Sequence, residues 1–401
     1  MTNTSAGKAH QNASTGRRAA PRTGLPGICQ PAGSGKRQLK EQWQRERPQK
    51  GVVMSRTTIR LATFLAASAT SLALLLAFTG PGASAARTAT SAVCHLGIIK
   101  TIKAGFGGQA TVVAYDQGSG EIYVAGEGGV EAINGQTYKE TALIATGKAP
   151  NAIAVNPGTH TIYVANSGSG TVSVINGSTS KVKATVHVGN IPLAVAVDRL
   201  NGNVYATGLD GVISVINART NKVTGTIQLR DDIEAAALSQ RSGLLYASND
   251  SFPGVPGTIY VVDVHTRRIV ARIRPGGNSR PYVIAVNPIR NDVYVTDSPN
   301  PGADGVFVIS GRKIIDRIST GLIPGGIAVN PINGVVYVIT AAVEGNTLLE
   351  IDGRSDLPIS TFQFNDFDEI GFETVNAPAR LVYVTDQTGE LYVLNGCRPP
   401  D

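Results

Sequence analysis

Thr161-Ile162-Tyr163-Val164-Ala165-Asn166 is a short apolar run with a tyrosine at its centre, closed by the turn-forming Ser167-Gly168-Ser169-Gly170. Equivalent runs surround Tyr123, Tyr205, Tyr246, Tyr294, Tyr337 and Tyr383, so that seven tyrosines recur at intervals of 40, 42, 41, 48, 43 and 46 residues. Within the period containing Tyr163, three apolar strands and a more variable fourth are predicted at Asn151–Asn156, Thr161–Asn166, Thr171–Asn176 and Val182–Val188. Asn156-Pro157, Ser169-Gly170 and Asn176-Gly177 stand between them. Period-two alternation with β-branched enrichment, as in Ile153-Ala154-Val155, excludes a helical repeat of similar length. A four-stranded unit of this size cannot bury its own faces, so the units must stack, and the period is that of a propeller blade. The expected fold is all-β: a seven-bladed β-propeller of four-stranded antiparallel blades.

The two ends of the array say how the ring closes. The last repeat reaches its third strand, Glu390–Asn395, and the chain stops six residues later without a fourth. Leu96–Lys103 precedes the first full repeat and has the alternation of a fourth strand, so the N-terminal strand is expected to complete the last blade. That arrangement brings Cys94 beside Cys397, and a disulfide between them is expected in an oxidising compartment; two unrelated thiols are the alternative. The bond would close 304 residues and contribute at most about 5 to 6 kcal/mol through loop entropy.

Charge and hydropathy divide the front of the chain from the repeats. The net charge is +7 over 401 residues, but residues 1–53 hold ten Lys/Arg against two Asp/Glu and residues 54–85 add Arg56 and Arg60. The remainder has 24 basic and 27 acidic residues, a net of −3, which removes the case for a phosphate-binding repeat domain. Residues 1–53 are too polar to fold and read as a disordered basic extension, or as an artefact of the assigned start. Ala32-Gly33-Ser34-Gly35-Lys36-Arg37 lacks the hydroxyl and first glycine of a phosphate loop. Residues 54–85 read as a signal peptide: basic Arg56 and Arg60, the apolar run Leu61 to Phe78, then Ala83-Ser84-Ala85 as a cleavage site. An uncleaved anchor is the competing reading. Cleavage would leave residues 86–401 as a secreted propeller with no stable membrane span.

Two copies of the tyrosine run, Tyr294-Val295-Thr296-Asp297 and Tyr383-Val384-Thr385-Asp386, resemble the YVTN family of β-propeller repeats, and Ala-Val-Asn-Pro recurs at 154–157, 285–288 and 328–331. The resemblance covers about residues 96–396. It implies the fold and carries no catalytic residue, because the family's repeat is scaffold.

The functional expectation rests on loops. One face holds the short, regular turns after first and third strands; the other holds the second-to-third turns and the connections between blades, which vary in length and carry the unusual residues. On that face Asp231, Asp232 and Glu234 lead into the fourth repeat, and Asp366, Asp368 and Glu369 into the seventh, with Arg280 and Arg274 between. Long turns add Asp250, Asp297 and Asp304, and Phe252, Phe364 and Phe367 offer either a binding surface or packing against their own blades. The carboxylates are candidates for holding a basic ligand or a hard cation such as calcium or magnesium, with solvated loop residues as the bland alternative. Asn365-Asp366-Phe367-Asp368-Glu369 lacks the glycine and closing glutamate of a calcium loop.

No catalytic residue emerges. His95 adjoins a cysteine, His160 and His265 fall in regular turns, and His187 lies in an outer strand, so no histidine is expected on the variable face. Propeller lyases that inactivate streptogramins are similar in architecture and depend on histidine near the channel, a pattern from which this sequence departs. A nucleophile elbow and metal-spaced histidine pairs are lacking, and nucleic-acid binding has no basic patch to rest on. The expectation is a monomeric, extracytoplasmic, non-catalytic binding module whose protein or small-molecule partner docks on the variable face. A metal-dependent lactonase- or lyase-like enzyme using the same carboxylates is the alternative.

Overall fold

The computed structural model describes residues 96–104, 110–189, 191–249, 257–277, 279–297, 305–342, 345–364, 370–386 and 388–396. Every regular element among them is a β-strand, twenty-eight in all, arranged as seven antiparallel sheets of four. The inner strands are Ala110–Asp116, Pro150–Asn156, Pro192–Asp198, Ala235–Ser239, Pro281–Val286, Ile323–Val329 and Ile370–Asn376. Each touches the next, and the last touches the first, which makes a ring around a central channel.

Alternation explains why the sheets stack. In blade two, Ile162, Tyr163, Val164 and Ala165 of the second strand are all buried, so both faces of that strand meet protein. Seven apolar clusters fill the spaces between blades; the one between blades two and three joins Tyr163, Val174 and Val186 to Val195, Val204 and Ile216. All seven repeat tyrosines are 0 to 1% exposed. Each ring closes one inter-blade gap, which is why a tyrosine is retained once per period.

The tyrosine hydroxyls point to the turn after the third strand of the following blade. Tyr246 Oη donates to Gly311 O at 2.7 Å, and Tyr294 Oη to Asp356 Oδ1 at 2.6 Å. Where Asn-Gly follows the third strand, the glycine has a packing reason. A Cβ on Gly177 would lie 2.9 Å from Tyr123 Oη and 2.8 Å from His160 O.

The turns after the inner strands share one device. Asp116, Asn156, Asp198, Ser239 and Asn376 end those strands and Asn287 and Asn330 directly follow them, and each accepts a backbone N–H from its own turn, as Asn287 Oδ1 does from Ile289 N (3.0 Å) and Arg290 N (3.3 Å). Four residues on, the backbone is left-handed in every blade: Gly120, His160, Gly202, Gly243, Asn291, Gly334 and Arg380 have φ between 46° and 78°. Cap and left-handed residue set the turn. Of the three positions between, the second takes residues as different as Gly158, Leu200, Arg241 and Ile332, although Gly118 in blade one is held to glycine, since a Cβ there would lie 2.5 Å from His160 Cε1 and Pro157 O.

Blade seven takes its outer strand from the other end of the chain. Gly97–Lys103 runs antiparallel to Glu390–Asn395, with Gly97 opposite Asn395 and Lys103 opposite Glu390. Its register shifts between Ile98 and Lys100 opposite Leu394 and Val393. The outer strands of the other six blades shift at the same place, as between Val174 and Ile175 in blade two. A bulge there adds twist, so Gly97–Lys103 repeats the geometry of a continuous fourth strand.

Candidate functional site

The faces of the ring follow from strand direction. Inner strands begin at the upper face, where the connections between blades and the second-to-third turns lie; they end at the lower face. At the upper mouth a cavity of about 390 Å³ opens between the leading ends of the inner strands. Asn151, Leu193, Glu234 and Tyr282 rim it, with small residues such as Ala152, Ala194 and Ala235 behind. Small residues are required there because seven strands converge on one axis. The space they leave is within the range of small-ligand pockets.

Glu234 is the charged residue among the lining side chains, and the segment before it is tightly held. Leu229 (2% exposed) and Ile233 (0%) anchor the connection, their N–H groups bonding Gly211 O and Gly208 O. Between these anchors Tyr260 Oη donates to Asp231 Oδ2, and Asn249 Nδ2 donates to Asp232 O at 2.8 Å. Burial, and then Asp231, push the Tyr260 phenol up from its usual range, and the Arg272 guanidinium lies 5.6 Å from its ring centroid. Glu234 N donates to Ser248 O, and Ser248 Oγ donates to Tyr282 O at 2.7 Å. Glu234 and Tyr282 are thus fixed by one residue of the strand between them. Ala149 (φ 51°) and Ile191 (φ 49°), each before a proline at the start of an inner strand, adopt left-handed backbone two residues ahead of Asn151 and Leu193. Such strain persists only where surrounding structure imposes it.

The structure gathers some of the sequence candidates and disperses others. Glu234 lines the cavity, while Asp231 and Asp232 stand beside it on the same pinned connection. The Arg280 N–H donates to Asp297 Oδ1 at 2.7 Å, just ahead of Pro281 and Tyr282. Asp297 is not an open loop acid: it is 3% exposed, and its Oδ2 accepts from Arg317 Nη2 at 2.8 Å. Phe364 is 3% exposed and packs edge-on against Phe362 of blade six and Tyr392 of blade seven, which makes it part of the apolar filling between those two blades. Asp366, Asp368, Glu369, Asp250, Asp304, Phe252 and Phe367 lie outside the described residues, as do Cys94 and Cys397. Among the described residues no three His, Cys, Asp or Glu side chains converge as a metal-ligand set.

The histidines need one correction. His160 and His265 are in lower-face turns, and His160 Nδ1 lies 2.9 Å from the buried Asp116 Oδ2, joining blades one and two. His187, however, is the last residue of its outer strand, opposite Thr171, and so reaches the upper face at its outer edge. An outer strand running from lower to upper face must end there. Asn151 and Tyr282 were missed by sequence reading; the signal that would have found them is position, since each is the second residue of an inner strand.

The class of protein defined by this fold is the seven-bladed β-propeller. No family model matches the chain, and no curated protein matches it. Solved structures match in number, 1734 chains, so the architecture alone selects no activity. One is a chain of Kuenenia stuttgartiensis hydrazine synthase, similar with a TM-score of 0.62 at 17% identity over 73% of this chain and 97% of that one. At that identity the likeness is one of fold.

Proposed function

We propose that this protein is a YVTN-type propeller acting as a non-catalytic recognition module, exported from the cytosol and monomeric. Its upper mouth takes in a cationic or hydrogen-bond-donating group of a small molecule or of a protein partner. The observation carrying this reading is Glu234: a carboxylate in a cavity of about 390 Å³, on a connection that Leu229, Ile233 and the Asp231–Tyr260 bond hold still. A site fixed in advance loses little entropy on binding. Asn151 and the Tyr282 side chain supply neutral polar groups on the rim, which suits selection of a ligand better than bond-breaking chemistry.

Export is supported by the Met54–Ala85 segment, and a Cys94–Cys397 disulfide by the register of the closing strand. Cys94 is three residues ahead of Gly97 and Cys397 two residues past Asn395, and Gly97 and Asn395 are paired. Non-reducing mass mapping of the secreted protein should recover one peptide pair holding both cysteines; two free thiols would refute the bond.

The test of the upper face is the fourfold variant Asp231→Asn, Asp232→Asn, Asp366→Asn, Asp368→Asn. It should keep the wild-type circular dichroism spectrum while failing to retain partners that the wild-type protein captures from spent medium. Equal capture by both proteins would remove the upper face from consideration.

A further inference from the structure

The lower face holds a second cavity that the upper-face reading does not use. It measures about 420 Å³ and sits among the turns that end the inner strands of blades three to six. Leu238 and Val286 form apolar wall, Pro288 and Pro331 the far rim, and Arg199, Leu200 and Arg241 the near rim.

Its residues exceed what the turns require. The cap and the left-handed fourth residue define each turn, and the second turn position is glycine in blades one and two, at Gly118 and Gly158. The same position in blades three, four, five and six is Leu200, Arg241, Ile289 and Ile332. Leu200 is 77%, Ile289 45% and Ile332 61% exposed. The other large exposed aliphatics of the described chain lie on outer strands, at the circumference. Leu200 lines the opening, and Ile289 and Ile332 each follow a proline that lines it, Pro288 and Pro331; branched side chains exposed there, at the position that is glycine in blades one and two, mark a surface kept for contact.

The charges complete the pattern. Arg290 in this ring of turns is neutralised by Asp292 (2.8 Å) and Asp356 (2.9 Å). Arg199 and Arg241 are different: among the described residues neither guanidinium has a carboxylate partner, and Arg241 reaches only Ile289 O, at 3.5 Å. The polar floor is satisfied internally, since Gln240 accepts from Arg199 N and donates to Val197 O, and Ser239 Oγ bonds Asn291 Oδ1. Anion-binding capacity at this mouth therefore resides in two forked cations beside an apolar wall.

We propose that the lower mouth binds an aliphatic carboxylate, the carboxyl group paired with Arg199 and Arg241 and the branched tail placed against Leu200, Leu238 and Val286. Guanidinium groups match carboxylate geometry in two parallel hydrogen bonds. Two sources present this chemistry: a free branched-chain acid, and the carboxyl terminus of a peptide ending in Leu, Ile or Val. The site is independent of the upper one.

The experiment is a calorimetric titration of the whole secreted protein with three probes: 4-methylpentanoate, the peptide acetyl-Gly-Gly-Ile-Leu with a free carboxylate, and the same peptide amidated. The free-carboxylate peptide or the acid should bind saturably, amidation should weaken binding at least about tenfold, and Arg199→Gln with Arg241→Gln should do the same. Both arginines are exposed, so the variant should fold, and its melting temperature checks this. Glu234→Gln, at the other mouth, should leave these titrations unchanged. Tighter binding of the peptide than of 4-methylpentanoate identifies a chain terminus as the source, and equal binding a free acid. Equal binding of acid and amide, indifference to the double variant, or no saturation by either acid at about 10 mM would overturn the proposal.

Discussion

The two mouths of the channel are built on opposite rules. On the lower face every blade closes its inner strand with a side-chain cap, Asp, Asn or Ser, and a left-handed fourth residue, so the backbone is uniform while the side chains between them, those of the second position included, vary. On the upper face the connections differ in length, and the one ahead of Glu234 is held by its own anchors, Leu229 and Ile233. A regular turn can therefore carry function as well as an irregular loop, provided the fold leaves one of its positions free. The lower face is structural in its caps and available in its second positions; the upper face is the reverse, with a variable backbone and a few pinned side chains.

High pH is the harshest way to break the lower face, because the inter-blade tyrosines direct their hydroxyls there. Burial pushes the Tyr123, Tyr246 and Tyr383 phenols up to about 12 from the usual 10, and burial followed by the hydrogen bond to Asp356 raises Tyr294 as well. A phenol with a raised native pKa binds more protons folded than unfolded. Its stabilising effect is whole below pH 10 and is lost as pH climbs through the native value. Thermal unfolding followed from pH 8 upward should show a flat melting temperature to about pH 10 and then a steep fall. Phenolate absorbance should rise together with unfolding, not ahead of it.

The next largest effect is expected at a cap. Asn287 is 1% exposed; besides capping its own turn, its Nδ2 reaches Gly334 O (3.4 Å) and Gly353 O (3.5 Å) of blade six. Asn287→Ala strands buried groups in two blades and should cost about 3 kcal/mol in urea unfolding. Gly177→Ala follows at about 2 kcal/mol, because its Cβ meets Tyr123 and the His160 carbonyl. Gly158→Ala, in an open turn of the same face, should cost under about 0.5 kcal/mol. A similar cost for both glycines would mean that the Tyr123 contact does not explain Gly177.

The upper face should show the smallest stability change. Asp231→Asn keeps a hydrogen-bond acceptor for Tyr260 and should alter unfolding by about 0.5 kcal/mol or less. A loss comparable to that at Asn287 would show the acidic connection to be scaffold, erasing the contrast between the faces.

The seven-fold tyrosine spacing made the ring legible in the sequence, because one large side chain must fill each gap between blades. The last full strand was read at its observed bounds, Glu390–Asn395, and its partner within one residue, Gly97–Lys103 for Leu96–Lys103. Glu234, Asp231 and Asp232 were singled out because charge stands out in an apolar repeat, and of the three Glu234 lines the upper cavity. Asn151 and Tyr282 did not stand out, since their place at the cavity comes from where the strand begins relative to the axis. The lower cavity was invisible for a related reason: it is assembled from turns about forty residues apart, each of which reads as ordinary. Asp297 reads as a loop acid in sequence and Phe364 as either rim surface or packing; their burial is decided by Arg317, two strands on, and by Tyr392 of the next blade, partners that local sequence does not reveal.

The central claim is that the upper mouth selects its ligand through Glu234, and it is tested most directly by a thermal-shift titration with agmatine, a cation, against glutarate, an anion of similar length. Agmatine should raise the melting temperature of the wild-type protein and leave Glu234→Gln unmoved, with glutarate giving no difference between the two proteins. An agmatine response of the same size in both proteins, or none in the wild type, would contradict the account.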